Sequence, residues 1–524
     1  MSCETKEMDP SVDEQSEKHL DNIVDLDALG EREGYVLNAE LGHADTRHLK
    51  TSRDGRTILI PQPSDDPNDP LNWSQTKKNL ILLVVSCTAF LPDYGSATGA
   101  VTLLPQAAIW NMTPDTVNHS QVGNVFMLGV GGVVAVTLSA YFGRYPVLFW
   151  FIVLAVGTAA WCAAAETFPS FMAARILNGF FSTVAQGGGL MFIKDMFFFH
   201  EHARKINIWS AFIILSPYFG PMLTAFIINT IKWQWAFGLY TIMTGLCLIA
   251  IMLFADETYY DRRIPMDKQP DRGSHISRML GIAQWRSRNH RNTIGQALQR
   301  PFIAISKLPV LLTVVYYMLT FAWVVGINTT LAIFLTPLYN FGPKQIGFFY
   351  FTPVVAALLG ELTGHWLHDF VARLSMKRNH GVLEPEARLK VIWISTPFMI
   401  VGLILLGFCL EEGYHYMVTS VAWGLYVFGI MITTVGVNAY NLDAYPEASL
   451  PASGEVASWI NFARTAGGFI ISYFQVTWAN AEGTKKSLGT QAGIVGAAFI
   501  IILLLQRFGK SLRAWAGQPH FKTN

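Results

Sequence analysis

Leu80-Ile81-Leu82-Leu83-Val84-Val85-Ser86-Cys87-Thr88-Ala89-Phe90-Leu91 carries no charge, and beyond Pro92 and Asp93 the chain stays apolar to about Leu104. A helix needs about 20 mostly apolar residues to cross a hydrocarbon layer about 30 Å thick. The stretch 80–104 has that length, and comparable ones recur at about 120–141, 146–165, 170–193, 206–230, 233–255, 309–339, 345–368, 389–409, 415–438, 455–478 and 489–506. The expected fold class is therefore all-α integral membrane, with 12 transmembrane helices.

Composition agrees. Of 524 residues, 51% are hydrophobic and only 14% charged, too apolar a mixture to cover a water-soluble fold of this size. The net charge of +1 gives no footprint for nucleic acid. Five cysteines without paired spacing imply neither a disulfide framework nor a metal site. There is no Gly-x-x-x-x-Gly-Lys-Ser/Thr phosphate loop, so an ATP-driven pump is excluded, and no cofactor or enzymatic activity is expected.

Lysine and arginine set the orientation. Ten of them lie between Asp256 and Leu308, and Arg373, Lys377, Arg378, Arg388 and Lys390 follow the eighth span, whereas the opposite connections carry few. Both termini and the central segment are thus expected on the cytosolic side. The connection after the first span lacks lysine and arginine and holds sequons at Asn111 and Asn118, candidate glycosylation sites on the outer face. The long basic segment divides the chain into a polar tail (1–79), a six-helix bundle (80–255), a central loop (256–308), a second six-helix bundle (309–506) and a short tail (507–524). The leading tail is expected to be largely disordered. Two such bundles suit a transporter whose solute site lies between them.

Several motifs narrow the reading. Asp66-Pro67-Asn68-Asp69-Pro70-Leu71-Asn72-Trp73 precedes the first span, and Leu138-Ser139-Ala140-Tyr141-Phe142-Gly143-Arg144 follows the second. The fourth contains Arg175-Ile176-Leu177-Asn178-Gly179, and the fifth Ser216-Pro217-Tyr218-Phe219-Gly220-Pro221. Asp195-Met196-Phe197-Phe198 and Glu257-Thr258-Tyr259-Tyr260 follow the fourth and sixth spans. Together these resemble the major facilitator superfamily, and within it the twelve-helix drug:proton antiporter branch found in fungi. The resemblance implies the major facilitator fold, alternating access, and a monomer handling a small organic compound and protons in the cell membrane or a vacuolar membrane. It implies gating roles for Gly143 and Arg144, close packing of Gly220 and Pro221 at the seam between the two halves, and gating for Asp369 and Arg373 in the second-half counterpart of the loop. Ala140 and Tyr141 depart from the family loop, where an acidic residue and an arginine are usual.

Charges within spans are costly and mark function. Asp93 lies near the middle of the first span, Arg175 in the fourth, Glu361 in the eighth and Arg464 in the eleventh, and these four are the candidates for coupling substrate to protons. Asp93, read as an isolated carboxylate, is the leading one. Asp443, at the exit of the tenth span, is a candidate for gating or capping. The expected function is proton-coupled efflux of a drug, toxin or secondary metabolite. Uptake of a cationic nutrient such as a polyamine is the alternative, followed by a non-transporting nutrient sensor.

Overall fold

The structure, a computed structural model, describes residues 50–52, 58–262, 264–288, 293–378, 385–443 and 449–516. Within the unit Met1–Pro63, Thr51 and Ile58 form an isolated antiparallel bridge; the membrane helices all belong to the unit Ser64–Asn524.

The membrane helices are α1 (Gln75–Trp110), α2 (Pro114–Phe142), α3 (Arg144–Ala164), α4 (Phe168–Ser182 and Val184–Met196), α5 (Phe199–Ile228) and α6 (Gln234–Phe254). After the central segment come α7 (Leu308–Tyr339), α8 (Pro343–Phe349 and Phe351–Arg378), α9 (Ile392–Glu412), α10 (Tyr416–Asp443), α11 (Ser449–Glu482) and α12 (Thr484–Ala516). Among the described residues, 11 helices are long and apolar enough to cross a membrane. α11 is not among them. Its Asn461, Arg464, Ser472 and Gln475 are buried against other helices and lower its hydropathy, while Ile470, Tyr473 and Phe474 of the same helix are exposed.

Local chemistry sets the helix ends. The Ser74 hydroxyl accepts the Lys77 amide at 3.3 Å and opens α1, and Asn111, at φ 52°, closes it in the left-handed conformation that asparagine tolerates. α1 therefore begins before the apolar run does. The preceding stretch departs from the expected free tail: Asp69 is fully buried, and Pro70–Asn72 forms a turn of 3₁₀ helix. At its other end, α12 extends beyond its apolar run because Arg513 forks onto Glu386 with two 2.9 Å hydrogen bonds.

α1 to α6 pack mainly with one another, as do α7 to α12, and the halves meet along α2 with α11, α5 with α8, α4 with α11, and α1 with α7. Small residues allow close approach inside each half. A Cβ on Gly131 would strike the Phe180 carbonyl and one on Gly179 the Asn124 carbonyl, so only glycine lets α2 and α4 lie this close. α6 instead turns Ile242, Leu246, Ile249 and Leu253 outward, as a lipid-facing helix must. Among the described residues, the central segment holds the α-helices His275–Leu280, Ile282–Arg286 and Ile294–Ile305 and a 3₁₀ turn at Met266–Lys268.

Candidate transport site

Between the halves lies a cavity of about 1140 Å³ of empty space, walled by α4, α5, α7, α10 and α11. Its wall runs from Gln186, Phe321 and Arg464, midway along their helices, toward Lys194, Lys307 and Asn441 at the helix ends that carry the central segment. Trp209, Ile213, Ile214, Val310 and Ile460 make much of the surface apolar, and Ser210, Thr434, Asn438 and Asn461 add neutral hydrogen-bonding groups.

On the opposite side the seam is shut. His119 stacks on Tyr473 at 4.8 Å, Phe126 packs on Phe469 at 5.0 Å, and Phe226 meets Phe348 at 5.3 Å. The chain is thus closed on the side away from the central segment, with its cavity on the near side.

At the deep end of the cavity, Asp93 and Arg464 form an ion pair of 2.7 Å that joins α1 to α11 and so one half to the other. Both side chains are only about a tenth exposed, at 10% and 9%. The carboxylate oxygen that takes Arg464 also accepts the Gln186 amide at 2.6 Å. Arg464 donates its second arm to Asn461 Oδ1 at 2.9 Å and lies over the Phe321 ring at 5.5 Å. The sequence reading of Asp93 as an isolated carboxylate is therefore corrected: a cation from the other half meets it directly.

Among the described residues, no carboxylate pairs with Arg175. Its two terminal nitrogens donate to the Gly95 and Ser96 carbonyls at 2.6 and 2.8 Å, and the guanidinium faces the Phe237 ring at 5.2 Å. Pro92, one turn earlier, cannot donate an amide into the ladder of α1, and glycine follows at positions 95 and 99. A Cβ on Gly99 would lie 2.7 Å from the Arg175 nitrogen, so the small residue makes room for the arginine. Arg175 thus braces the backbone just beyond Asp93. Glu361 stands apart on α8; its Oε2 is buried with no hydrogen-bond partner among the described residues, and it is not part of the cavity wall.

At the loop side Gly143, with φ 97°, caps α2 and turns the chain into α3. Arg144 then pairs with Asp195 at 3.1 Å and lies over the Tyr259 ring at 4.7 Å, while its amide donates to Glu257 at 3.0 Å. Asp195, at the end of α4, supplies an acidic partner that the altered loop after α2 lacks. Around it the motif stretches far apart in sequence converge. Arg262 forks onto Asp69 at 3.1 and 2.9 Å, the Tyr260 hydroxyl donates to Asp66 at 3.1 Å, and Asp256 takes Lys77 and Arg278 at 2.8 and 2.7 Å. Burial alone would raise the Asp69 and Asp256 carboxyls. Arg262 and the Leu71 and Ser64 amides outweigh it at Asp69, and Lys77, Arg278 and Arg272 at Asp256, so both carboxyls end below their ordinary value of 3.8.

Three further expectations meet different fates. Gly220 and Pro221 were expected to pack at the seam between the halves, but Gly220 faces α1 in its own half, where a Cβ would sit 2.5 Å from the Tyr94 carbonyl. Other α5 groups reach across: the Pro217 carbonyl accepts from Asn328 at 3.0 Å, and Asn207 Nδ2 lies 2.8 Å from His365 Nδ1. Asn111 is exposed on its turn, whereas Asn118 is fully buried in α2 and donates to the Ser472 carbonyl at 3.4 Å; its sequon offers no acceptor in the folded protein. The side chains of Asp369, Arg373 and Asp443 lie outside the described residues.

Sequence reasoning passed over Gln186 and Asn461, which complete the Asp93 and Arg464 shells. Asn461 was within reach, since it precedes Arg464 by three residues and so shares its helix face. Gln186, an uncharged amide in a glycine run, carried no comparable signal. Among the described residues no group of three metal-ligating side chains exists.

A family model described as the Major Facilitator Superfamily matches residues 85–472. An uncharacterized MFS-type transporter of Schizosaccharomyces pombe is 23% identical, with 94% of this chain and 95% of that protein covered. The efflux pump radE of Floropilus chiversii is 25% identical, with coverage of 87% and 84%. Among solved structures, the xylose transporter XylE from E. coli in a partially occluded inward open conformation overlays with a TM-score of 0.58 at 16% identity, covering 83% of this chain and 98% of that one.

Proposed function

Since the chain belongs to the major facilitator superfamily and is a multi-pass secondary transporter, we propose that it exports a small organic compound in a cycle coupled to protons, with Asp93 and Arg464 as the coupling pair. The observation that carries this is the ion pair joining α1 to α11 at the deep end of the cavity. A proton on Asp93 removes the charge that holds Arg464, so proton occupancy acts on the joint between halves and on a cation in the cavity wall at once.

In this reading Gln186, Asn461 and Phe321 position the pair, and Arg175 fixes the α1 backbone that presents Asp93. The pairing of Arg144 with Asp195 serves as a loop-side latch, and Glu361 is a reserve proton site. Asp369 and Arg373 keep the gating roles that the family loop implies, and Asp443 stays a candidate for gating or capping at the exit of α10. Both termini and the central segment are cytosolic, in the cell membrane, which makes the present state inward-facing, and the protein works as a monomer. Asn111 remains a candidate glycosylation site.

The resemblance to a fungal efflux pump supports the outward direction. The cavity wall is largely apolar, with Arg464 as a donor at its deep end, which suits a solute with an apolar body and a hydrogen-bond acceptor. The test is retention of a panel of fluorescent organic compounds in exporter-deficient cells expressing the chain, with and without a protonophore. Lower retention that the protonophore reverses supports the reading. Retention that no compound lowers, or that the protonophore leaves unchanged, refutes coupled efflux.

A further inference from the structure

The central segment carries a surface that the transport reading does not use. In the helix Ile294–Ile305 the small side chains Ala297, Pro301 and Ala304 face the protein, against α11 and α2. The large apolar ones face away: Ile294 is 57% exposed, Leu298 54% and Phe302 63%. These recur every four residues and form one stripe. The helix is fixed in this attitude by Arg300, which pairs with Glu455 at 2.6 Å, and by the Trp459 indole, which donates to the Pro301 carbonyl at 2.8 Å.

Water does not suit that stripe, and two features identify what covers it. The helix passes through Ser306 and Lys307 directly into α7, a membrane-crossing helix whose Leu311 is also exposed, so the stripe continues the lipid-facing belt. A short way upstream, Trp285 is 55% exposed, with the Arg288 guanidinium over its ring at 4.9 Å and Arg286 exposed beside it. An outward tryptophan with arginines next to a membrane helix is the chemistry of the headgroup layer.

We propose that the central segment docks on the leaflet of the bilayer at its own side, with Ile294, Leu298 and Phe302 set among acyl-chain ends and Arg286 and Arg288 binding the phosphates of anionic lipids. The surface is independent of the solute carried. Because the docked helix rests on both α2 and α11, it anchors to the membrane the seam at which the halves meet.

The test uses the full chain in nanodiscs with a photoreactive phenylalanine analogue at position 298 or 299. Phospholipid adducts at 298 and few at 299 are expected; absence of adducts at 298, or equal yield at both, overturns the docking. For the headgroup, preferential retention of phosphatidylserine over phosphatidylcholine is compared between the parent and the variants Arg286→Gln and Arg288→Gln. A fall of about fivefold per arginine is expected, equivalent to about 1 kcal/mol each. Unchanged preference, or preference abolished by inorganic phosphate at its cytosolic concentration, refutes a lipid headgroup as the ligand. Elution as folded monomer separates these results from misfolding.

Discussion

Replacing Asp93 with asparagine tests the pair directly, and the structure separates its effect on folding from its effect on coupling. At 2.7 Å and an effective dielectric of about 20, the attraction between the two charges is about 6 kcal/mol. Desolvation offsets much of that, and removing one partner of a buried pair costs about 3–5 kcal/mol because the other charge is left behind. Here the lower end applies. Asn461 still accepts from Arg464 at 2.9 Å, and the asparagine carbonyl keeps an acceptor for Gln186. Asp93→Asn should therefore lose about 3 kcal/mol, roughly a hundredfold in the folded-to-unfolded ratio. Adding Arg464→Gln removes the stranded charge and should recover most of the loss, while neither variant responds to a pH gradient. Unfolding in detergent and transport in proteoliposomes with an imposed gradient measure the two effects. An Asp93→Asn protein as stable as the parent that still concentrates solute under the gradient would refute both halves of the reasoning.

Gly220→Leu forces a side chain against the Tyr94 carbonyl, 2.5 Å from the first added carbon, so it should destabilise α1 against α5 by about 1–3 kcal/mol; an unchanged unfolding temperature would contradict the packing. Asp69 and Asp256 both sit below 3.8 when folded, so their contribution is complete above that value and fades as pH falls through the lower folded values. Amide exchange at Leu71, corrected for its intrinsic rate, should stay flat from neutral pH to about 4 and rise only below it; loosening already near pH 6 would rule the clasp out. Any N-glycan added after α1 should disappear with Asn111→Gln and persist with Asn118→Gln, read by gel mobility after glycosidase treatment. Cysteine placed at Ser274 should react with an impermeant reagent only in opened cells; labelling from outside intact cells would invert the topology.

Helix number, the break after α6 and the family could all be read from the sequence, because lipid leaves apolar length as an unmistakable trace. α11 shows where that trace weakens. Its Asn461, Arg464, Ser472 and Gln475 lower its hydropathy because it lies at the seam, and the property that obscures the span also builds the site. Asp93 and Arg464 were each identifiable as intramembrane charges, but their pairing was not: they are 371 residues apart and meet only because α1 and α11 come from opposite halves. The converging motifs around Asp66, Asp195 and Glu257 likewise read as separate marks until folding brought them to one clasp. Side-chain direction is what a span count cannot supply, and it moved Gly220 from the seam to α1 and Asn118 from the surface to the core.

The pair also ties the sign of coupling to the chemistry of the solute. Arg464 is part of the cavity wall and Asp93 stands behind it, so a solute approaching from the cavity reaches the guanidinium first. One that offers an anion takes Arg464 from Asp93, and the displaced carboxylate is stabilised by a proton; by linkage, solute and proton then favour each other and move together. One that offers a cation must instead take Asp93 from Arg464, compete with the proton, and so move against it. Efflux that a protonophore reverses requires the second arrangement, because under co-movement an inward proton gradient would oppose export. A pH-sensitive dye inside proteoliposomes distinguishes the two: acidification of the compartment that receives the solute supports co-movement, and alkalinisation establishes exchange and returns Asp93 to direct contact with a cationic solute.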